Sequence, residues 1–499
     1  MRKFCYSILL LLVISLSIFS GCSGTIDLDK LSKKLSTYSM DILFDGDHTL
    51  TVTQSINYIN DTGDSLDHVC LHVYVEDFSE DVVDSSVVSS LNFDKAYYLG
   101  KSYSNIVFNK ILLDNKECNY SFIGNDSDIL HIDIDNKLAS GDNIDIYFEY
   151  VITLPNINHR FGIGENTINI SNFYPIVSMY ENGEFDHSGY HSNGDPFYSN
   201  MANYNVTITA PTKYTLASSG NVTKTTQNES NNVYKIKAKV IRDFAFILSD
   251  NFSVVSDTVN DTVVNYYYYK NSYPDKCLET IKKCITTFED IIGDYPYKTL
   301  NVAEASFVHG GMEYPNLVYI SDAVLDEEDY LNVIIHEVAH QWWYGLVGND
   351  EYKYGWLDEG LTEYSTLLFY ERNSEYGVDV DTLIKNQTNS YVTFIEVYSS
   401  VFESVDTSMN RELNEYGTEY EYVYIAYVKG MLFFDSLREL VGDKRFFVAL
   451  KDYFNSNCFS IATPETLLNS FEKSTKLNLK DYFASWINGN VEIISINWF

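Results

Sequence analysis

The chain has 499 residues, of which 34 are basic and 70 acidic, and its formal net charge at pH 7 is −36. This excess of negative charge excludes nucleic acid and anionic lipid headgroups as expected binding partners. Hydrophobic residues make up 45% of the chain and aromatic residues 15%, a composition that excludes a disordered protein. The length predicts two or three domains.

The N-terminus has the pattern of a secretory signal. Two basic residues precede an apolar run over residues 8–18, which is too short to span a membrane, and the small pair Ser20-Gly21 comes directly before Cys22. This ending resembles a bacterial lipoprotein signal, which implies cleavage before Cys22 and attachment of a lipid to its sulfur. Simple secretion, with Cys22 incidental, is the alternative. We expect a signal peptide over residues 1–21 and an extracytoplasmic lipoprotein at the surface of a bacterial cell membrane.

Alternating strands are predicted after a short tether. Residues 22–37 are mostly polar and predict the tether. From residue 38 onward, apolar and polar side chains alternate in several runs, and a period of two predicts half-buried strands. Residues 38–255 are therefore predicted to form an antiparallel β domain, either a large curved sheet or a sandwich. The alternating runs include residues 49–58, 130–134, 144–150 and 234–240.

The cysteines and loop histidines of this region predict no metal site. Five cysteines follow Cys22, and no Cys-x-x-Cys pair occurs among them, so neither a disulfide framework nor a thiolate zinc site is expected. A Cys70–Cys118 disulfide is left open. Isolated loop histidines are usually solvated or structural, and we therefore expect no metal role for His159, His187 or His191.

Residues 256–499 are predicted to form a second, mixed domain. A helix with Pro274 near its start and Gly293 after its end carries apolar residues at helical spacing. Strands are predicted over residues 299–321, and helices dominate after residue 326. The whole chain is therefore expected to be an α+β multidomain protein.

One predicted helix carries the sequence His336-Glu337-Val338-Ala339-His340. Acidic residues from Asp326 mark its start, where the helix dipole favours negative charge. Residues four apart lie on one face of a helix, so His336 and His340 can share one metal ion. Glu337 lies beside that ion, where a carboxylate can accept a proton from the attacking water. The pattern is short enough to arise by chance on a buried helix. A third ligand elsewhere in the sequence is therefore needed to predict a metal site.

Glu359 is the predicted third ligand. A second helix is predicted over Asp358–Tyr370, with Asp358 and Glu359 at its start. Zinc sites that perform catalysis often combine two histidines and one glutamate with an open position for water. Glu363 lies one turn further along. It either orients a histidine ligand through a hydrogen bond or is an ordinary exposed carboxylate.

Two further motifs lie on either side of these residues. Gly310, Gly311, Met312 and Glu313 come before the histidines, and Tyr427 begins a Tyr-x-Lys-Gly sequence after them. The four motifs, in this order, resemble those of the aminopeptidase N-type zinc aminopeptidases. These enzymes are gluzincins, and their family also contains leukotriene hydrolase. The resemblance implies an N-terminal β domain followed by a thermolysin-like α+β catalytic domain.

The resemblance also assigns catalytic roles. It implies one zinc ion on His336, His340 and Glu359, with Glu337 as the general base. The Tyr427 hydroxyl is implied to donate a hydrogen bond to the tetrahedral intermediate. In relatives the chain continues into a large helical C-terminal domain, and since this chain ends at Phe499 we expect that domain to be absent.

Substrate capture is implied at Glu313. The resemblance implies that this carboxylate binds the α-ammonium group of the peptide. The glycine-flanked strand of Gly310, Gly311 and Met312 lets the substrate backbone approach. Tyr314 replaces an asparagine that contacts substrate in relatives, which leaves the preferred N-terminal residue open. Relatives also place a glutamine or glutamate of the N-terminal domain near the amine. We find no counterpart in this sequence, although 194–198 resembles a stretch of that domain.

The expected function is that of a zinc-dependent aminopeptidase that releases N-terminal residues from peptides outside the cytoplasm. A thermolysin-like zinc endopeptidase is the first alternative, because it shares the three ligands and the base. A non-catalytic surface binding protein on the same fold is the second. Peptides are the expected substrates, and the oligomeric state stays open.

Overall fold

The computed structural model describes residues 26–82, 87–124 and 126–495. The expected signal peptide and the expected lipid attachment site at Cys22 lie outside these residues and stay predictions. No helix within the described ranges is both long enough and apolar enough to cross a membrane.

Strands dominate the first half of the chain, together with two short helices. Side chains alternate between buried and exposed along the long strands, as the period of two predicts. The elements are α1 (Leu28–Ser32), β1 (Thr37–Phe44), β2 (Thr49–Ile59), β3 (Leu66–His72), α2 (Phe93–Ala96), β4 (Asn105–Leu113), β5 (Lys116–Glu117), β6 (Tyr120–Ile123), β7 (Ile129–Leu138), β8 (Asn143–Thr153), β9 (Gly162–Ile163), β10 (Ile168–Ile170), β11 (Ile176–Val177), β12 (Tyr180–Glu181), β13 (Glu184–Phe185), β14 (Ala202–Pro211), β15 (Thr215–Ser218), β16 (Asn221–Gln227), β17 (Asn231–Ile241) and β18 (Phe246–Ser249).

An eight-stranded sheet forms most of this region, in the order β16-β17-β14-β1-β2-β8-β4-β5. Strands β1 and β14 run parallel, with Thr37 opposite Asn203, whereas the other neighbouring pairs of this sheet are antiparallel. The prediction of an antiparallel domain is therefore wrong for this pair. Alternation along a strand reports burial and not direction, and the long crossover between β1 and β14 permits the parallel pairing. Two four-stranded sheets, β15-β18-β10-β9 and β11-β3-β7-β6, and a two-stranded sheet of β12 and β13 complete the described part of this region.

Part of the predicted tether is structured. Helix α1 lies within residues 22–37, and the side-chain amide of Asn203 in β14 donates a hydrogen bond to the carbonyl of Ser32 at 2.8 Å. This helix therefore docks on the large sheet, and the role of residues 22–37 as a tether stays a prediction.

The second half of the chain combines a small mixed sheet with long helices. The sheet has the order β19-β20-β21-β23-β22. The elements are β19 (Ser253–Val259), β20 (Thr262–Tyr268), α3 (Pro274–Ile291), β21 (Thr299–Ala305), β22 (Gly311–Met312), β23 (Leu317–Ser321), α4 (Glu327–Ala339), β24 (Val347–Asn349), α5 (Glu351–Arg372), α6 (Val380–Phe402), α7 (Glu419–Tyr422), a π-helix (Val423–Lys429), α8 (Gly430–Val441), α9 (Asp443–Asn457), β25 (Ser460–Ala462), α10 (Pro464–Thr475) and α11 (Lys480–Ile487).

Helix α5 begins earlier than predicted. The predicted start was Asp358, but Asp350 caps the helix by accepting a hydrogen bond from the backbone N–H of Lys353, and the helix begins at Glu351. Tyr354 has non-helical angles (φ −134°, ψ 42°), so the first turn is separated from the rest by a kink. Glu359 therefore lies inside the helix and not in its first turn.

The chain from α5 to α11 is largely helical, which corrects the expectation that a large helical C-terminal domain is absent. The expectation considered only the point at which the sequence ends. Helix α8 lies so close to α5 that a Cβ atom on Gly360 would lie 2.7 Å from the Cα atom of Gly430. The helical part is thus built directly onto the helix that carries Glu359.

The five cysteines within the described residues are free. The Cys70–Cys118 bond, which the sequence left open, is not formed.

Candidate active site

Helix α4 begins where the acidic residues predicted it to begin. The carboxylate of Asp326 accepts hydrogen bonds from the backbone N–H groups of Glu328 and Asp329, at 2.9 and 3.2 Å. These bonds satisfy donors that would have no partner within the helix. The helix then carries His336 and His340 on one face, towards α5.

Three predicted ligand atoms lie at the corners of a small triangle. The Nε2 atoms of His336 and His340 are 3.1 Å apart. Oε2 of Glu359 lies 3.3 Å from the first and 3.2 Å from the second. All three side chains are buried, and this Oε2 has no hydrogen-bond partner among the described residues. An ion that lies about 2 Å from each of the three atoms fits this triangle, and about 2 Å is the bond length of zinc to imidazole nitrogen and carboxylate oxygen.

The outward-facing nitrogens of both histidines are held by other groups. Nδ1 of His336 lies 3.1 Å from Oε1 of Glu363, and Nδ1 of His340 lies 2.9 Å from Oδ1 of Asp358. These contacts fix the imidazole rings and leave both Nε2 atoms for a metal. The position of Glu363 favours the orienting role over that of an ordinary exposed carboxylate. We did not predict the role of Asp358, and its only signal was its place beside Glu359.

Burial and neighbouring charges shift the pKa values of these groups in opposite directions. Burial disfavours the charged form of His336, but the carboxylates of Glu359 and Glu363 outweigh burial and raise its pKa to about 10. Burial also acts to raise the pKa of Glu359, yet His340 and His336 lower it to about 2. Burial raises the pKa of Glu337 to about 7. The triangle is thus a place where positive charge is favourable.

Two further carboxylates face the same cleft, which has a volume of about 230 Å³. Oε2 of Glu337 and Oε1 of Glu313 are buried and have no hydrogen-bond partner within the described chain. Gly311 is required here, because a Cβ atom would lie 2.4 Å from Cγ of Glu337. Gly310 also lines the cleft. The structure therefore brings the predicted base and the predicted ammonium-binding carboxylate together.

Met312 and Tyr314 do not belong to the cleft. The side chain of Met312 is in the hydrophobic core and does not line the cleft, whereas a contact of its backbone with substrate stays a prediction. Successive residues of a strand face opposite sides, so Gly311 and Glu313 cannot share the cleft with Met312. Tyr314 is fully buried, and its hydroxyl donates a hydrogen bond to Oγ of Ser171 at 2.5 Å.

Tyr427 reaches the triangle from the π-helix. Its hydroxyl donates a hydrogen bond to Oε1 of Glu359 at 2.5 Å, and its ring stacks on that of His336 with 5.9 Å between centroids. Single π-helical turns are rare and often occur at functional sites. The rest of the motif is structural: Lys429 donates to the carbonyl of Trp486 at 3.2 Å, and Gly430 meets α5.

The N-terminal half contributes two charged residues to the cleft, neither of which we predicted. Asp195 and Arg160 line the cleft and form an ion pair with each other. The guanidinium of Arg160 also lies 5.0 Å from the ring centroid of Phe197. Asp195 occupies the region where we found no counterpart of the relatives' glutamine or glutamate. The sequence feature that pointed to this region was the resemblance of residues 194–198 to the family. That resemblance did not identify which residue faces the substrate.

Comparison with known proteins gives one matching family model and many similar proteins. Residues 276–486 match the model of the peptidase family M1 domain. The leucine aminopeptidase 2 of Neosartorya fischeri is 26% identical over 286 residues, which cover 52% of this chain and 44% of that protein. The leucine aminopeptidase 2 of Candida glabrata is 28% identical over 176 residues, which cover 34% of this chain and 26% of that protein. The chain thus spans less than half the length of these relatives.

Solved structures share the fold over almost the whole chain. The crystal structure of the M1 zinc metallopeptidase from Deinococcus radiodurans has a TM-score of 0.64 and 15% identity, and the match covers 93% of this chain and 95% of that one. A mutant of that enzyme bound to a Tyr-Ser-Ala substrate matches with the same TM-score, identity and coverage. These likenesses confirm a mixed α+β fold with an N-terminal β-rich part and a helical C-terminal part.

Proposed function

Because residues 276–486 match the peptidase family M1 domain, we propose that the chain is an aminopeptidase N-type gluzincin, a zinc-dependent aminopeptidase that releases N-terminal residues from peptides. The observation that carries this proposal is the position of Glu313. This buried carboxylate lies in the cleft that also holds the triangle of His336, His340 and Glu359. A free α-ammonium group is the natural partner of such a carboxylate. The names of the leucine aminopeptidase relatives support the same substrate class.

The roles of the residues follow from what peptide hydrolysis requires. One zinc ion on His336, His340 and Glu359 would supply Lewis acidity at the scissile carbonyl and make a nearby water more acidic. Glu337 accepts the proton of the attacking water and passes it to the leaving amine, because its buried Oε2 has no other partner in the described structure. Glu313, which lines the same cleft, binds the α-ammonium group at the N-terminus of the peptide.

A peptide with a free N-terminus should be hydrolysed faster than the same peptide with an acetylated N-terminus. We expect kcat/KM to differ by about 10–100-fold, the value of one buried charge-assisted hydrogen bond. Glu313→Gln should remove most of this difference, mainly through KM. The control is Glu419→Gln, which changes a more exposed carboxylate of the same cleft.

Equal rates for the free and acetylated peptides in the unchanged chain would exclude the aminopeptidase and favour a thermolysin-like endopeptidase. A chain that holds zinc but hydrolyses neither peptide, nor any aminoacyl amide of a broad panel, would favour the non-catalytic binding protein.

Tyr427 is the proposed donor to the oxyanion of the tetrahedral intermediate. Tyr427→Phe should lower kcat about 10²–10³-fold, the usual cost of losing one such donor. Zinc content should not change, because Tyr427 is not a corner of the triangle. The control is Tyr424→Phe on the same π-helix, whose hydroxyl lies 2.9 Å from Oγ of Ser390. Equal kcat values for the two variants, measured with a fluorogenic aminoacyl amide, would contradict the assignment.

Asp195 is the proposed second carboxylate at the amine end of the substrate. It lies in the cleft with Glu313, and its partner Arg160 holds it in place from the N-terminal half of the chain. If this is its role, Asp195→Asn should raise KM for free N-termini without changing zinc content.

We further propose that residues 38–255 form the N-terminal domain and residues 256–499 a thermolysin-like catalytic domain. The three zinc ligands and Glu337 belong to α4 and α5, which supports a catalytic unit in the second region. The proposed boundary falls inside β19, near its start. Limited proteolysis that cuts only far from residue 255 would contradict it.

We also propose that the protein is an extracytoplasmic lipoprotein anchored through Cys22. The apolar run and the small residues before Cys22 support this proposal. The mass of the mature N-terminal peptide tests it, since a peptide that begins at Cys22 and carries no lipid would contradict the anchor.

A further inference from the structure

A second group of metal-binding side chains lies in the four-stranded sheet β11-β3-β7-β6, outside the catalytic cleft. His68 and Cys70 are two residues apart on β3, so their side chains point to the same face of the sheet. Cys70 is directly opposite His131 on β7, and cross-strand partners also share a face. The pairing of the two strands thus brings two imidazoles and one thiol together.

These three side chains are close enough to share an ion. Their ligand atoms all lie within 4.8 Å of one another. A fourth donor comes from the loop after β13, where Nε2 of His187 lies 3.4 Å from Sγ of Cys70. Cys70 is fully buried, whereas His68 and His131 are partly exposed and His187 is exposed. The group therefore offers three nitrogens and one sulfur at a place that solvent can reach.

Contrary to what the sequence led us to expect of its cysteines and of His187, we propose that His68, Cys70, His131 and His187 bind one zinc ion, separate from the catalytic one. Four nitrogen and sulfur donors match the tetrahedral preference of zinc in structural sites. Atoms at the corners of a triangle with 4.8 Å edges lie about 2.8 Å from its centre, whereas zinc bonds measure about 2.0–2.3 Å. Small rotations of the side chains are enough to close this difference.

Two carboxylates support this assignment from outside the group. Nδ1 of His68 lies 2.9 Å from Oδ1 of Asp67, and Nδ1 of His131 lies 3.7 Å from Oδ1 of Asp133. A histidine that binds a metal through one nitrogen commonly donates its other N–H to a carboxylate. His68 thus has Nε2 available for the ion, in the same arrangement that Asp358 gives His340 in the catalytic cleft. The carboxylate of Asp133 is too far from His131 for a hydrogen bond, but it brings negative charge to the side of the ring that faces away from the ion.

The ion would have a structural role. It would tie β3 and β7 to the loop that carries His187, and this loop continues to Asp195 in the catalytic cleft. Loss of the ion should therefore loosen the loop and raise KM, while the groups around the catalytic triangle stay in place. The site does not depend on the proposed activity, because none of its four ligands lines the cleft.

Cobalt gives a signal that distinguishes this site from the catalytic triangle. Metal is removed from the full chain with a chelator, and Co²⁺ is then added. A sulfur ligand gives a thiolate-to-cobalt charge-transfer band in the near ultraviolet, and the catalytic triangle contains no sulfur. We expect this band to saturate at one equivalent, and the zinc-loaded chain to hold two zinc ions.

Matched variants locate the signal. Cys70→Ser should lose the band and one zinc ion, whereas Cys118→Ser, which changes another free cysteine, should keep both. His187→Asn lies on a loop, so it should leave the fold intact while lowering zinc affinity at this site at least about 10-fold. His340→Ala should keep the band, because it changes only the catalytic triangle.

Three results would overturn the proposal: no band in the folded, unchanged chain; an unchanged band in Cys70→Ser; or a zinc content of one ion that His340→Ala abolishes. Failure of the proposed activity is separate, because it would appear as lost turnover with the band retained.

Discussion

Glu337→Gln is expected to keep the zinc content of the unchanged chain and to lower kcat about 10²–10⁴-fold, the usual contribution of a positioned general base. The glutamine has the shape of the glutamate but cannot accept the proton of the attacking water. Oε2 of Glu337 has no hydrogen-bond partner in the described structure, so the change breaks no such bond there. We expect the melting temperature to stay the same or to rise slightly, since a buried carboxylate is removed.

The test combines kcat for a fluorogenic aminoacyl amide with metal analysis of the same sample. Glu328→Gln is the control, because it changes an exposed carboxylate in the first turn of the same helix, α4. Full activity of Glu337→Gln at full zinc content would show that another group takes the proton. Loss of zinc together with activity would show instead that Glu337 supports the metal.

The parts of the site that follow from local rules could be predicted from sequence. The cap at Asp326, the helix after it and the shared face of His336 and His340 depend only on neighbouring residues and the pitch of a helix. The usual donor set of catalytic zinc sites and a second predicted helix then identified Glu359 as the third ligand, although α5 begins earlier than we predicted. The true start of α5 could not be recognised in the sequence, because Gly355 follows the kinked residue Tyr354 and a glycine there is typical of a loop.

The parts that depend on strand pairing could not be predicted. Alternation predicted the strands of the first half but not the parallel pair of β1 and β14, since burial carries no information on direction. Nor does alternation indicate which residues of two strands or loops will meet, such as His131 and Cys70, or Asp195 and Glu313. These contacts join residues far apart in the chain, and only the folded sheet decides them.

The catalytic cleft holds more buried negative charge than its protein cations balance. Glu313, Glu337 and Glu359 are each buried there, with Asp195 and its partner Arg160 beside them. Burial, together with the nearby carboxylates of Asp195, Glu337 and Glu359, raises the pKa of Glu313 well above its usual range. Such a group of carboxylates is costly unless cations neutralise it. The metal and the α-ammonium group of the substrate are the two cations that the geometry provides for.

His336→Ala should therefore lose one zinc ion and lower kcat/KM about 10³-fold or more, because metal catalysis contributes several kcal/mol to such reactions. This variant is cleaner than His340→Ala. The carboxylate left behind, Glu363, is partly exposed and stays solvated, whereas loss of His340 would leave the buried Asp358 without its partner. Added zinc should raise the melting temperature of the unchanged chain more than that of the variant, since binding to the folded state stabilises it.

The control is His309→Ala, which removes another imidazole of the same cleft that is not a corner of the triangle. It should keep all its zinc and most of its activity. Metal analysis and turnover are measured on both variants after dialysis against the same zinc-free buffer. If His336→Ala retained full zinc and full turnover under these conditions, the triangle of His336, His340 and Glu359 would not be the catalytic metal site. Glu337 on α4 and Glu313 directly after β22 were given their roles by their positions relative to that triangle, so those roles would then have to be reassigned as well.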